Sequence, residues 1–168
     1  MTRDHYDVDV GIGGALRARL CVTPAESESG VAVVEHELPP NTLAAPLHRH
    51  RHEDELSVVV TGEMGVQAGD EVTTVGAGEV VAKERGRWHT FWSGDGGMRC
   101  FEVIAPGEFA GYFADVAGLL PSDDPDDPEA AAAERAAIRE RYGLELDPES
   151  VPDLLERHGL AVPDALEG

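Results

Sequence analysis

The stretch PLHRHRHEDELSVVVTG, residues 46–62, decides how this chain is interpreted. His48 and His50 are two positions apart, and on a β-strand that spacing places both imidazoles on one face. Glu55 opens a valine-rich run that is typical of a buried strand. A turn before it would bring its carboxylate to the same interior, where imidazoles and a carboxylate together suit a divalent metal ion.

A second stretch, GEVVAKERGRWHTFWS at residues 78–93, supplies a further candidate ligand. Its internal glycine allows a tight turn, after which His89 faces inward from a new strand. We therefore predict one divalent metal ion on His48, His50, Glu55 and His89.

The first stretch resembles a motif of the cupin superfamily, G-x5-H-x-H-x3,4-E-x6-G. Its two histidines, glutamate and closing glycine are matched by His48, His50, Glu55 and Gly62, and Thr42 replaces the leading glycine.

The second stretch resembles the other cupin motif, G-x5-P-x-G-x2-H-x3-N. Gly78, Gly86 and His89 match it, whereas Glu84 and Ser93 replace the proline and the asparagine. Neither replaced residue is a metal ligand in the family, so the resemblance leaves the ligand set complete.

The fold implied is all-β, a cupin jelly-roll β-barrel with C-terminal α-helices. Residues 1–105 have the pattern of short strands separated by turn residues, as in a sandwich or barrel. The predicted strands are Ala15–Val22, Val31–Leu38, Glu55–Thr61, Met64–Ala68, Glu71–Val75, Glu79–Lys83, Trp88–Trp92 and Met98–Ile104.

Beyond the barrel the pattern becomes helical. Residues 106–120 are predicted to form a helix packed on the barrel, centred on Glu108–Leu120 with its aromatic residues at helical spacing. Residues 121–168 of the same domain are predicted as an acidic, proline-punctuated linker and a helical tail. The tail helices are Glu129–Tyr142 and a short one from Ser150, in capping-box spacing with Asp153, to Gly159.

Strand alternation indicates what surrounds the site. Phe91, Ser57 and Val59 share the inward face and are candidates for the pocket wall. Trp88 and Trp92 then point to the opposite face. Between the histidines and Glu55, we expect His52 to start the turn and point to solvent. Because His52 lies two positions after His50, it would share the face of His50 on a continuing strand and is also a possible competing ligand. We expect Glu53 and Asp54 to be charges at the rim.

The resemblance is strongest for single-domain, quercetin-dioxygenase-like cupins, and it implies three functions. The first is a metal-dependent dioxygenase-type oxidoreductase acting on a small enolisable or aromatic metabolite, with Glu55 also serving as general base. The second is a redox-neutral isomerase, cyclase or lyase, and the third a non-catalytic small-molecule-binding protein. Fe(II) is favoured, with Mn, Ni, Co, Cu or Zn as alternatives. Such cupins commonly form homodimers, which we expect here.

Composition excludes some partners. The 168 residues carry 33 acidic and 13 basic side chains, a formal charge of −20, which disfavours nucleic acid and anionic membranes. No apolar run approaches the roughly 20 residues of a membrane span, and the N-terminus lacks a signal-peptide pattern, so a cytoplasmic protein is expected. Cys21 and Cys100 are expected to be reduced thiols, although the sequence also allows a bridge.

Overall fold

Nine strands and three α-helices are formed by the residues that the computed structural model describes, namely 5–117, 119 and 128–161. The strands are β1 (Asp7–Val10), β2 (Leu16–Val22), β3 (Ala32–Leu38), β4 (Leu47–His50), β5 (Asp54–Ala68), β6 (Glu71–Gly76), β7 (Val80–Lys83), β8 (His89–Ala105) and β9 (Leu144–Asp147). The helices are α1 (Gly111–Ala117), α2 (Pro128–Tyr142) and α3 (Val151–His158). This arrangement confirms the predicted all-β class with C-terminal helices.

The strands form one antiparallel sheet that curls around the core. Its main path runs β1-β2-β3-β8-β4-β9, while β5 pairs with β6, β7 and β8. The longest register joins β5 and β8, from Asp54 opposite Ala105 to Ala68 opposite His89. The beginnings of β5 and β8 therefore lie at opposite ends of this ladder.

Two strands are longer than the sequence predicted. β5 joins the predicted strands Glu55–Thr61 and Met64–Ala68, and it continues through Gly62 with shifts of register on either side. A side chain could not stand at Gly62, because a Cβ there would lie 2.0 Å from the carbonyl oxygen of Gly97. β8 likewise joins two predicted strands, and the predicted turn after Ala68 is confirmed by the β5–β6 hairpin.

The tail contains a strand that the sequence analysis missed. β9 follows α2 and pairs antiparallel with β4, with Leu144 opposite His50 and Leu146 opposite His48. Residues 121–168 are thus not only linker and helix, because part of the tail extends the sheet beside the candidate ligands. The linker at 121–127 and residues 118 and 120 of the predicted Glu108–Leu120 helix lie outside the described residues.

The beginnings of the helices also differ from prediction. A 3-10 turn at Gly107–Ala110 precedes α1. At α3, Ser150 makes no capping hydrogen bond to the helix; its hydroxyl donates to the Asp147 carbonyl (2.6 Å) and accepts from the Leu47 amide (2.9 Å). Ser150 therefore ties α3 to β4.

Two apolar clusters stabilise the molecule. The larger lies inside the curled sheet and continues to the aromatic residues of α1. The smaller joins Leu43 and Trp92 to Leu154, Leu155 and Leu160 of the tail. Both cysteines are free thiols, and no helix among the described residues is long and apolar enough to cross a bilayer.

Candidate metal centre

Three neighbouring strands bring the four predicted ligands together. His48 on β4 lies directly opposite His89 on β8, and their ring centroids are 4.4 Å apart. The ring of His50 lies 5.2 Å from that of His48 and 5.4 Å from that of His89. With Glu55 at the start of β5, these residues each offer one donor atom within 4.8 Å of the others, and all four are buried.

The histidine rings are oriented by hydrogen bonds on their outer nitrogens. Nδ1 of His48 bonds the Pro46 carbonyl (2.9 Å), and Nδ1 of His89 bonds the Arg87 carbonyl (2.9 Å). Because a carbonyl only accepts, each of these Nδ1 atoms carries the proton, and the Nε2 lone pair is left for another partner.

The outer nitrogen of His50 is also held by a hydrogen-bond acceptor, in this case a carboxylate. Nδ1 of His50 lies 2.6 Å from Oε1 of Glu53. Within the described residues, Nε2 of His50 and of His89 are buried and have no hydrogen-bond partner. A buried polar atom without a partner is costly, and a cation among these nitrogens would satisfy both. The site therefore fits a divalent metal ion.

The charges around Glu55 favour its ionised form. Burial alone would raise its pKa, but His50, Lys83 and His89 hold the pKa of the Glu55 carboxyl well below its usual value. Burial lowers the pKa of His48 and of His89, which favours neutral imidazoles. Burial also acts on His50, but Glu55 and Glu53 outweigh it and raise the pKa of His50.

A buried lysine, Lys83, forms an ion pair with the Glu55 carboxylate. Nζ of Lys83 lies 3.1 Å from Oε2 of Glu55 and 2.8 Å from Oε2 of Glu102, and it stands 4.6 Å above the ring of Phe91. The hydroxyl of Ser57 donates to Glu102 (3.0 Å). The sequence analysis missed both Lys83 and Glu102. The feature that could have indicated Lys83 is a lysine at the end of a predicted apolar strand, and in the structure Lys83 lies opposite Glu55.

The loop between β4 and β5 differs from prediction at one position. Glu53 is not a rim charge: its side chain is buried and accepts a hydrogen bond from Nδ1 of His50. His52 is exposed, in agreement with its predicted place in the turn, and Asp54 accepts the Arg85 amide (2.9 Å).

A cavity of about 280 Å³ opens beside the candidate ligands. His48, His50 and Glu55 form part of its wall, and so does the predicted pocket residue Phe91. Most other walls are apolar: Val10, Leu16, Phe109, Phe113, Leu144 and Leu146. Ser57 and Val59 are buried in the interior but do not line this cavity, so its wall differs from the prediction at those two positions.

His36 of β3 is a further polar group in the cavity wall that the sequence did not reveal. Burial is the main cause that lowers the pKa of His36 to about 4, and the charge of Lys83 adds to it. The charge of Glu55 and a hydrogen bond with the Arg17 backbone oppose the shift. Its Nδ1 has no hydrogen-bond partner among the described residues. It therefore presents a neutral imidazole to the cavity.

Comparison with known families agrees with this site. Residues 34–104, which include all four candidate ligands, match the cupin domain. The chain contains a cupin domain. No curated protein sequence matches it.

Several solved structures are similar to this chain at low sequence identity. A mutant of Bacillus subtilis oxalate decarboxylase OxdC is similar at 22% identity and a TM-score of 0.53, over 63% of this chain and 28% of that one. KdgF from Halomonas sp. is similar at 15% identity and a TM-score of 0.49, over 62% of this chain and 86% of that one. The cupin domain of Schizosaccharomyces pombe Cnp3 is similar at 15% identity and a TM-score of 0.46, over 54% and 64% respectively. At 22% identity the likeness to the decarboxylase shows the fold alone.

Two of the positions that depart from the cupin motifs are hydrogen-bonded to each other. Thr42, in place of the first glycine, and Ser93, in place of the asparagine, are direct partners: the Thr42 amide donates to Ser93 Oγ (3.0 Å), and the Ser93 amide donates to the Thr42 carbonyl (3.0 Å). Both are buried. These two bonds hold the loop before β4 against β8, and the Ser93 hydroxyl is the side chain that takes part in them.

Both tryptophans of this cupin lie outside the metal site. The Trp92 ring stacks on His158 of α3 with ring centroids 4.0 Å apart, and Trp88 lies under the Arg49 guanidinium at 4.9 Å. Neither lines the cavity beside the ligands. Trp92 instead anchors the tail to the sheet.

Proposed function

We propose that this cupin is a metal-dependent enzyme of the dioxygenase type, acting on a small enolisable or aromatic metabolite. The observation that carries the proposal is the convergence of imidazole nitrogens and a carboxylate at the wall of a largely apolar cavity. When bound there, the ion supplies Lewis acidity and, if redox-active, a route for electrons to dioxygen.

The chain's own residues would prepare this site. Glu53 and the Pro46 and Arg87 carbonyls fix the three rings, while Lys83 holds one oxygen of Glu55. The aromatic walls exclude water from the reacting face of a substrate. If Glu55 is also the general base, as the resemblance implies, its carboxylate would have to leave the metal partly in order to reach the substrate's proton.

Metal content tests the first half of the proposal. Imidazole and carboxylate ligands suit Fe(II), with Mn, Ni, Co, Cu or Zn as alternatives. Elemental analysis of protein purified without a histidine tag should give close to one ion per chain. His89→Ala should lose it, whereas the matched variant His52→Ala, which removes an exposed histidine of the same segment, should retain it. Equal metal content in both variants would contradict the site.

Oxygen consumption tests the second half. A flavonol or another enolisable compound should be consumed with uptake of dioxygen by the metal-loaded protein. Turnover that persists under nitrogen would support a redox-neutral isomerase, cyclase or lyase instead. Binding without turnover in either atmosphere would support a non-catalytic binding protein.

A further inference from the structure

Arg139 on α2 differs from the other basic residues of the described chain. Each of the other described arginines, and Lys83, has a hydrogen bond or an ion pair with a carboxylate or a carbonyl. Within the same residues Arg139 has none, and its side chain is half-buried. An unpaired guanidinium is unexpected in a chain of formal charge −20, where carboxylates are abundant.

Arg139 lies in the wall of the cavity beside the candidate ligands. Arg139 lines the cavity that contains His48, His50 and Glu55, and Tyr112 of α1 lines the same cavity. No hydrogen bond engages the Tyr112 hydroxyl among the described residues. Tyr112 on α1 and Arg139 on α2 belong to helices that pack against each other. Burial raises the pKa of the Tyr112 hydroxyl, and the charge of Arg139 opposes that shift.

Arg135 of α2 is a second guanidinium in the cavity wall, but it already donates to the Leu119 carbonyl (3.2 Å), and the rest of the wall offers an anion little else. Glu55 and Glu102 are carboxylates, and most remaining walls are apolar. A ligand lying along those walls would meet the candidate ligands at one end and the Arg139–Tyr112 pair elsewhere in the same cavity. A guanidinium and a phenol hydroxyl are both hydrogen-bond donors, and a carboxylate accepts from both.

We infer that Arg139 and Tyr112 form a subsite for the carboxylate of the substrate, so that the cavity selects small aromatic or branched apolar acids. The inference rests on the proposed function in that it takes this cavity to be the substrate pocket. It adds that the substrate is an anion, which the chain's overall charge would otherwise repel. The cavity volume of about 280 Å³ suits a molecule of one or two rings.

The test compares two probes of the same shape that differ in charge, 3-phenylpropanoate and 3-phenylpropanamide. Their dissociation constants are measured by NMR titration of the full chain at millimolar probe concentrations, in an EDTA-treated and in a Zn(II)-loaded sample. The wild type should bind the acid at least about tenfold more tightly than the amide, as expected for a charge-assisted hydrogen bond.

Variants separate the subsite from general electrostatics. Arg139→Gln should abolish the preference for the acid, Arg139→Lys should keep part of it, and Tyr112→Phe should reduce it. Arg141→Gln is the matched control, because it removes the same charge from the same helix at a residue that instead pairs with Asp115 (3.0 Å). It should keep the full preference.

The outcomes distinguish this inference from the metal proposal. Equal affinity for acid and amide, binding of neither probe, or an acid preference that survives Arg139→Gln would overturn the carboxylate subsite. A chain that takes up no Zn(II) yet prefers the acid through Arg139 would overturn the metal proposal and leave the subsite standing.

Discussion

Glu53 lies beside the metal centre without facing it, and it fixes the His50 ring through a 2.6 Å contact with Nδ1. Outer-shell carboxylates of this kind typically change metal affinity by about 10–100-fold when removed. We therefore expect Glu53→Gln to weaken metal binding by at least about tenfold. Competition with a chromophoric chelator measures the affinity. Glu84→Gln, at an exposed residue of the neighbouring loop, is the control, and equal affinities of the two variants would refute this role.

Lys83 stands between two buried carboxylates, and its own side chain is fully buried. Lys83→Met should cost about 3–5 kcal/mol in the free energy of unfolding, because Glu55 and Glu102 would remain without their cation. Burial raises the pKa of Glu102 to about 7, although Lys83 opposes the shift. Adding Glu102→Gln to Lys83→Met should therefore recover part of the loss.

Urea denaturation measures these free energies. The exposed pair Arg85–Asp54, at 3.6 Å, supplies the control, and Arg85→Met should cost less than about 1 kcal/mol. A Lys83→Met variant as stable as Arg85→Met would show that the buried cation is dispensable.

His36 should make stability depend on pH. The pKa of His36 in the folded chain, about 4, lies below the usual value of 6.5. As the pH falls, the unfolded chain therefore binds a proton on His36 at a higher pH than the folded chain does. Stability is therefore undiminished above pH 6.5 and falls as the pH drops from there toward 4. Between about pH 7 and about pH 5 this residue alone should cost about 2 kcal/mol.

The variant His36→Phe isolates that effect from the other buried histidines. Its aromatic neighbours Phe91 and Phe113, at centroid distances of 6.2 and 5.2 Å, can accept a phenyl ring. Urea denaturation at both pH values should show a smaller acid loss for the variant than for the wild type. The same loss in both proteins would contradict the assignment.

At the scale of strands and helices, local pattern predicted most of the barrel strands and the C-terminal helices, but it missed the short strands β1 and β9. Alternation and turn residues are properties of neighbouring positions, so the β5–β6 hairpin and the strands β2 and β3 could be predicted. β9 could not. Its four residues, Leu144–Asp147, follow directly on α2 and become a strand because they pair with β4, nearly a hundred positions away in sequence. The cavity residues of α1, α2 and β9 were missed for the same reason.

Ion pairs hold β9 beside β4, the strand that carries the candidate ligands His48 and His50. Glu145 accepts from Arg49 (2.6 Å) and from Arg51 (3.0 Å), which flank His50. Glu145→Ala should speed hydrogen exchange of the β9 amides while lowering global stability by less than about 1 kcal/mol, since the pairs are partly exposed. Glu149→Ala, at an exposed residue of the following turn, should leave β9 unchanged. Unaltered exchange in Glu145→Ala would show that backbone pairing alone holds the strand.

For the whole molecule, the expected homodimer stays a prediction, and the surface offers a place for it. Leu56 on β5 and Val80 on β7 are large apolar side chains that are 40% and 57% exposed. They lie close together, because Val58 is opposite Val80 and Leu56 is opposite Ala82. Within the described residues β7 pairs only with β5, so its other edge is open to a second copy across a two-fold axis.

Val80→Lys tests this interface, because a buried lysine would oppose its partner across the axis. Light scattering after size exclusion should give a dimer for the wild type and a shift toward monomer for Val80→Lys. Val72→Lys is the matched control, since Val72 is 52% exposed but lies on a different edge strand, β6. A wild-type monomer at every concentration, or a dimer that tolerates Val80→Lys as well as Val72→Lys, would exclude pairing through β7.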